Sequence, residues 1–133
     1  MRFHLIITAA LLAVFVAAGM DKASQAAEKG AITKAKDGYT VEELYAKKKE
    51  LSGKKVSIRG KVVKFNVGIM GRNWVHLQDG SGKPGTNDIT ITTNQSAKMG
   101  DTVSATGTMA VNKDFGGGYS YEVIIEDAAI SDK

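Results

Sequence analysis

The chain has 133 residues, with 18 basic and 14 acidic side chains, a formal net charge of +4, and no cysteine. These values exclude a disulfide scaffold, a thiolate metal site and a cysteine nucleophile. A charge this mild permits anionic partners but falls short of the dense basic stripe of a dedicated nucleic-acid binder.

The N-terminus reads as a targeting segment. Arg2 and His4 precede a fourteen-residue apolar run over 5–18, and Ser24-Gln25-Ala26 places small residues where a signal peptidase reads. A bilayer span needs about 20 apolar residues, so this run suits a signal-peptide core better than an anchor. Cleavage is expected after Ala26, with Ala18 as the alternative, giving a periplasmic or secreted protein with no membrane attachment after cleavage. Loss of Arg2, Lys22 and Asp21 leaves 16 basic and 13 acidic residues, a net charge of +3. Residues 27–38 are small and charged and read as a flexible lead-in, and 39–130 as one domain, expected to be monomeric.

Thr40 and Glu43 form a capping box that opens an amphipathic helix, with Val41, Leu44, Tyr45 and Leu51 at helical spacing and Gly53 as its stop. The period then changes to alternation. Residues 55–65 predict a long first strand, bulged or bent at Gly60. Residues 66–72 form a connection, and 73–78 a second strand with Val75 and Leu77 on one face and Trp74, His76 and Gln78 on the other. The third strand, 88–93, puts Ile89 and Ile91 opposite Thr90 and Thr92. A short turn follows over 94–100. The fourth strand, 101–111, carries Val103, Ala105, Met109 and Val111 on one face. After a loop over 112–118, with glycine at 116, 117 and 118, the fifth strand runs 119–129. Tyr119 and Tyr121 share a face of it, so at least one is expected in the core. Five strands are too few for a two-sheet sandwich. The pattern predicts a mainly β fold, a five-stranded, Greek-key OB-type (oligonucleotide/oligosaccharide-binding) barrel capped by the helix.

Catalytic chemistry is poorly supplied. His76 is the only histidine after residue 26, no nucleophile-elbow motif is present, and no spacing matches a zinc site. Glu122 and Glu126 lie four residues apart on one strand, roughly 13 Å, which is too far for a carboxylate pair. The reading is therefore non-catalytic, with no cofactor.

Binding is better supplied. A five-stranded barrel of this type takes ligands on strands two and three and in the loops joining strands one to two and four to five. Those elements carry Arg72, Trp74, His76, Gln78, Thr90, Lys113, Phe115 and Tyr119. They offer aromatics for stacking, cations for phosphate and polar groups for hydrogen bonds, which suits single-stranded nucleic acid or a similar anionic oligomer. The alternative is Cu(I), held by the Met70 thioether and the His76 imidazole beside the Trp74 indole.

The segments YTVEELYAKKKELSGKK, VSIRGKVVKFN, GIMGRNWVHLQDGSG and GDTVSATGTMAVNKDFGGGYSYEVIIEDA together resemble a group of small exported bacterial OB-fold proteins described as NrfJ-like or as nucleic-acid-binding. The resemblance covers 39–129. It implies the OB fold, export, nucleic-acid or DNA binding, and, through association with a nitrite-reductase gene cluster, docking to a periplasmic redox partner. The trio Met70, Trp74 and His76 is also similar to the ligand set of periplasmic OB-fold copper chaperones.

Overall fold

A computed structural model of the protein describes residues 32–132. The proposed signal peptide and residues 27–31 of the lead-in lie outside the described residues. Two short helices, α1 (Val41–Ala46) and α2 (Lys48–Leu51), precede five strands: β1 (Lys55–Ile69), β2 (Arg72–Gln78), β3 (Ile89–Thr93), β4 (Thr102–Asp114) and β5 (Ser120–Ser131). The strands close into a barrel in the order β1-β2-β3-β5-β4, and β4 returns to β1. All neighbours are antiparallel except β3 and β5, which run parallel because β4 is laid down outside β5 before the chain returns beside β3.

The expected helix forms, but as two pieces. Thr40 Oγ1 accepts from the Glu43 N–H and the Glu43 carboxylate accepts from the Thr40 N–H, completing the capping box. Lys47, at φ −104° and ψ 21°, breaks the helix after one and a half turns. Val41, Leu44 and Leu51 still reach the barrel core, where they join Val56, Ile58, Val62, Val75, Leu77, Ile89, Ile91, Met109, Val123 and Ile125.

Strand β1 serves both sides of the barrel. Lys55 to Lys61 pair with β4, and Lys61 to Ile69 pair with β2. The sequence expectation put the irregularity at Gly60; it falls instead at Val62–Lys64, with a second at Asn66–Ile69. Gly60 serves close packing, since a Cβ there would lie 3.1 Å from the Gln78 carbonyl oxygen. Gly107 is tighter: a Cβ would meet the Glu126 carbonyl oxygen at 2.6 Å, where the β4–β5 register shifts.

Three strands run longer than their alternation suggested. β1 continues to Ile69, so the connection to β2 shrinks to Met70-Gly71. β4 continues to Asp114 and pairs there with the start of β5 at Ser120, in a hairpin that runs past the last β1–β4 pair, Lys55 and Thr108; at its other end β5 continues to Ser131.

Candidate ligand-binding face

The alternation read along β2 holds. Val75 and Leu77 enter the barrel core, while Trp74, His76 and Gln78 do not. Yet Trp74 is only 2% exposed. Its cover comes from the projecting β4–β5 hairpin. Tyr121 stacks on the indole at a centroid distance of 5.7 Å, Tyr119 lies tilted at 5.8 Å, and Phe115 meets it edge-on at 5.2 Å. The indole N–H donates to the Ile69 carbonyl at 2.8 Å. Trp74 is thus the centre of a small aromatic core, separate from the barrel's. Neither Tyr119 nor Tyr121 enters the barrel core, against expectation, because both are spent on this second cluster.

Two cations flank the cluster. The Arg72 guanidinium lies 5.8 Å from the Phe115 ring centroid and the Lys113 ammonium 5.5 Å. Both also meet Glu126, at 3.8 Å and 3.3 Å. Glu126 therefore offsets part of the positive charge that would attract an anion. Tyr119 is the most open aromatic of the four, at 37%. The loop that carries it is tightly closed: the Phe115 N–H donates to the Tyr119 carbonyl at 2.8 Å and the Tyr119 N–H to the Gly116 carbonyl at 3.0 Å.

The rest of the predicted strip lies in a second cluster. His76 Nδ1 and the Asp88 carboxylate are 2.8 Å apart, and the Gln78 amide donates to the same carboxylate at 3.3 Å. The Tyr45 hydroxyl donates to the Asp88 carbonyl at 2.7 Å. Burial raises the pKa of Asp88, but the hydrogen bond and charge of His76, with help from Gln78 and Lys64, outweigh it and hold the carboxyl below its ordinary value. Burial, reinforced by Asp88 and Glu122, pushes the Tyr45 hydroxyl up to about 12. Thr90 is 4% exposed and Thr92 fully buried, with the Thr92 hydroxyl accepting from the Asp127 N–H.

The residues are therefore brought together in two groups. Arg72, Trp74, Lys113, Phe115 and Tyr119 meet at the hairpin tips, while His76 and Gln78 gather around Asp88. Met70 joins neither. It sits in the two-residue turn with φ 54°, 46% exposed. Arg72, beside that turn, and His76 are four positions apart on the strand, roughly 13 Å. Met70 and His76 therefore lie at different points along the hairpin.

Sequence reasoning missed Asp79, Ser81, Asp88 and Glu126. Asp79 is 5% exposed, and its carboxylate accepts from the Val41 N–H, the Ser81 N–H and the Ser81 hydroxyl. Ser81 Oγ in turn accepts from the Glu42 N–H. With Thr40 on Glu43, three side chains satisfy the first three N–H groups of α1. The DGS turn after β2 thus docks the helix on the barrel. No alternation or local spacing signals it, because the partners are 38 and 39 residues apart.

Among the described residues, no group of three or more His, Cys, Asp or Glu could hold a metal ion, and no helix is long and apolar enough to cross a membrane. Surface depressions lie beside α2 and around Ala97 and Ile130, away from the aromatic cluster. No protein-family model matches the chain, and no curated protein matches it.

Proposed function

We propose that this is an exported, non-catalytic binding protein of the OB type. The strand order β1-β2-β3-β5-β4 with its parallel β3–β5 pair supports the fold assignment. The nominal ligand is single-stranded nucleic acid or a similar anionic oligomer, taken across the tips of the β1–β2 and β4–β5 hairpins. The observation that carries the reading is the convergence of those tips: Arg72 from one and Lys113 from the other flank Phe115, with Tyr119 open beside them. Tyr119 and Phe115 supply stacking surface, and the two cations supply phosphate contacts. Trp74 supports the platform from beneath and reports on it.

The test is titration of the protein with a dT12 oligonucleotide at low and high salt, followed by Trp74 fluorescence. Binding that weakens with salt is expected, because phosphate contacts release counterions. Tyr119→Ala removes a stacking partner and lowers affinity about tenfold, in line with the roughly 1–3 kcal/mol per stacked base. Glu126→Gln frees both cations and raises affinity several-fold. Unchanged affinity in Glu126→Gln and in Arg72→Gln/Lys113→Gln would sink the proposal.

Protein docking is a second reading, favoured by the exposed apolar tip of the β1–β2 hairpin, where Val67 is 70% and Met70 46% exposed. Co-purification of a periplasmic redox protein that is lost in Val67→Ser/Met70→Ser would support it over the first.

A further inference from the structure

The N-terminal halves of β1 and β4 carry a surface that the hairpin site does not use. Along β1 the inward residues are Val56, Ile58 and Val62, so Lys55, Ser57, Arg59 and Lys61 face outward. Along β4 the inward residues are Val103, Ala105 and Met109, so Thr102, Thr106 and Thr108 face outward. The register sets these rows against each other: Lys55 opposite Thr108, Ser57 opposite Thr106, and Lys61 opposite Thr102. The Ser57 and Thr106 hydroxyls are 2.7 Å apart. This face has a cation at three of its four β1 positions and no apolar or aromatic side chain in either row.

Its charge is free. Lys55, Arg59 and Lys61 form no ion pair among the described residues, unlike Arg72 and Lys113. Arg59 donates to the Thr33 carbonyl, at 3.4 Å. The acid nearest in register is Glu126, across β4 from Thr108, and it is engaged by Arg72 and Lys113. Asp101 sits at the end of the row beyond Thr102.

We infer that the outer face of β1 and β4 binds a linear acidic polysaccharide, one whose sugars carry carboxylate or sulfate groups. The cations lie at four- and two-residue intervals along the strand, roughly 13 and 7 Å, which fits an extended chain carrying several charges and not a single small anion. The hydroxyls between them donate and accept, as sugar hydroxyls and ring oxygens require. A single-stranded nucleic acid needs aromatic platforms for its bases, and this face has none. A lipid surface rewards apolar side chains that insert below the headgroups, and these are absent too. The inference is independent of the hairpin site, since it uses different residues and a different ligand.

Calorimetric titration with a dodecamer of oligogalacturonate, and with neutral maltodextrin of the same length, tests it. The acidic chain binds, binding falls with salt, and the neutral chain gives no heat. Lys55→Gln/Lys61→Gln lowers affinity for the acidic chain at least tenfold, and Thr108→Val, which keeps the charge and the strand, lowers it about threefold. Arg72→Gln/Lys113→Gln leaves it unchanged. The inference is overturned by unchanged affinity in Lys55→Gln/Lys61→Gln, by equal binding of the neutral chain, or by dT12 displacing the acidic chain through Lys55 and Lys61. Loss of dT12 binding in Arg72→Gln/Lys113→Gln alone concerns only the hairpin site, so the two proposals fail separately.

Discussion

Trp74 is the residue whose role the environment changed most. Alternation along β2 correctly takes it out of the barrel core, and an outward tryptophan on a barrel strand invites a stacking role. Its burial is decided by residues more than forty positions away, on a hairpin whose reach past the barrel no local pattern reveals. Trp74→Ala should therefore cost about 3–5 kcal/mol in urea unfolding, the range for a buried aromatic; a change under about 1 kcal/mol would return Trp74 to the ligand surface. Asp79 shows the same limit. The QDGSG turn reads as a plain strand end, and only the fold brings its carboxylate to the Val41 N–H. Asp79→Ala strands buried donors, each worth about 1–3 kcal/mol, and should lower stability by roughly 2–3 kcal/mol. Asp88 makes a pH-dependent contribution. Its carboxyl is held below the ordinary 3.8 despite burial, by His76 above all. A depressed folded pKa means stability that is present above the unfolded value and lost as pH falls through the folded one. The stability gap between the wild-type protein and Asp88→Asn should be full above about pH 5 and shrink as pH falls below the ordinary 3.8 in thermal melts. A gap independent of pH would show that the His76 contact does not hold the carboxylate.

At the scale of elements, strand existence and facing were legible, and strand ends were not. The alternations of β3 and β4 assign Ile89, Ile91, Val103, Ala105 and Met109 to the core, and all five are there. The end of β1 was hidden because Asn66, Gly68 and Gly71 together look like a loop. In the fold, Gly68 absorbs a bulge and donates to the Asn73 side chain, while Met70 and Gly71 make a two-residue turn with φ 54° and 77°. Two positive φ values in a two-residue hairpin define the type I′ turn, which prefers Asn-Gly. Methionine is poorly suited to the first position, and its side chain is nearly half exposed. Met70→Asn should stabilise the protein by roughly 0.5–1 kcal/mol, read as a higher urea midpoint at unchanged slope. A loss of stability would mean that the methionine packs against the aromatic cluster after all. Gly107 predicts the opposite sign. Its missing Cβ faces a carbonyl oxygen and the Ile125 side chain at 2.8 Å, neither able to move without shifting the β4–β5 ladder. Gly107→Ala should cost about 1–3 kcal/mol.

For the whole molecule, the question is whether the aromatic cluster belongs to the barrel's cooperative unit or opens by itself. Barrel closure needs β1 to pair with β4 and β3 with β5, contacts distant in sequence, so neither half of the sheet is complete without the other. The cluster, by contrast, is a satellite: one ring from β2, three from the β4–β5 hairpin, and a loop with three successive glycines at positive φ. Two features tie it to the barrel. β4 and β5 run unbroken from barrel to hairpin tip, and Glu126 joins Arg72 of β2 to Lys113 of β4. Both argue for a single transition. Trp74 is the only tryptophan and lies outside the barrel core, so its fluorescence follows the satellite while far-UV circular dichroism follows the sheet. Superimposable urea curves from the two probes are expected. That result makes the hairpin face a preformed surface, onto which a ligand binds without first paying to open it. A fluorescence transition at lower urea would instead make the glycine loop a lid, with Trp74 exposed only when it lifts. The Tyr119→Ala variant separates these cases by function: it weakens oligonucleotide binding if the closed face is the platform, and strengthens it if Tyr119 is the latch.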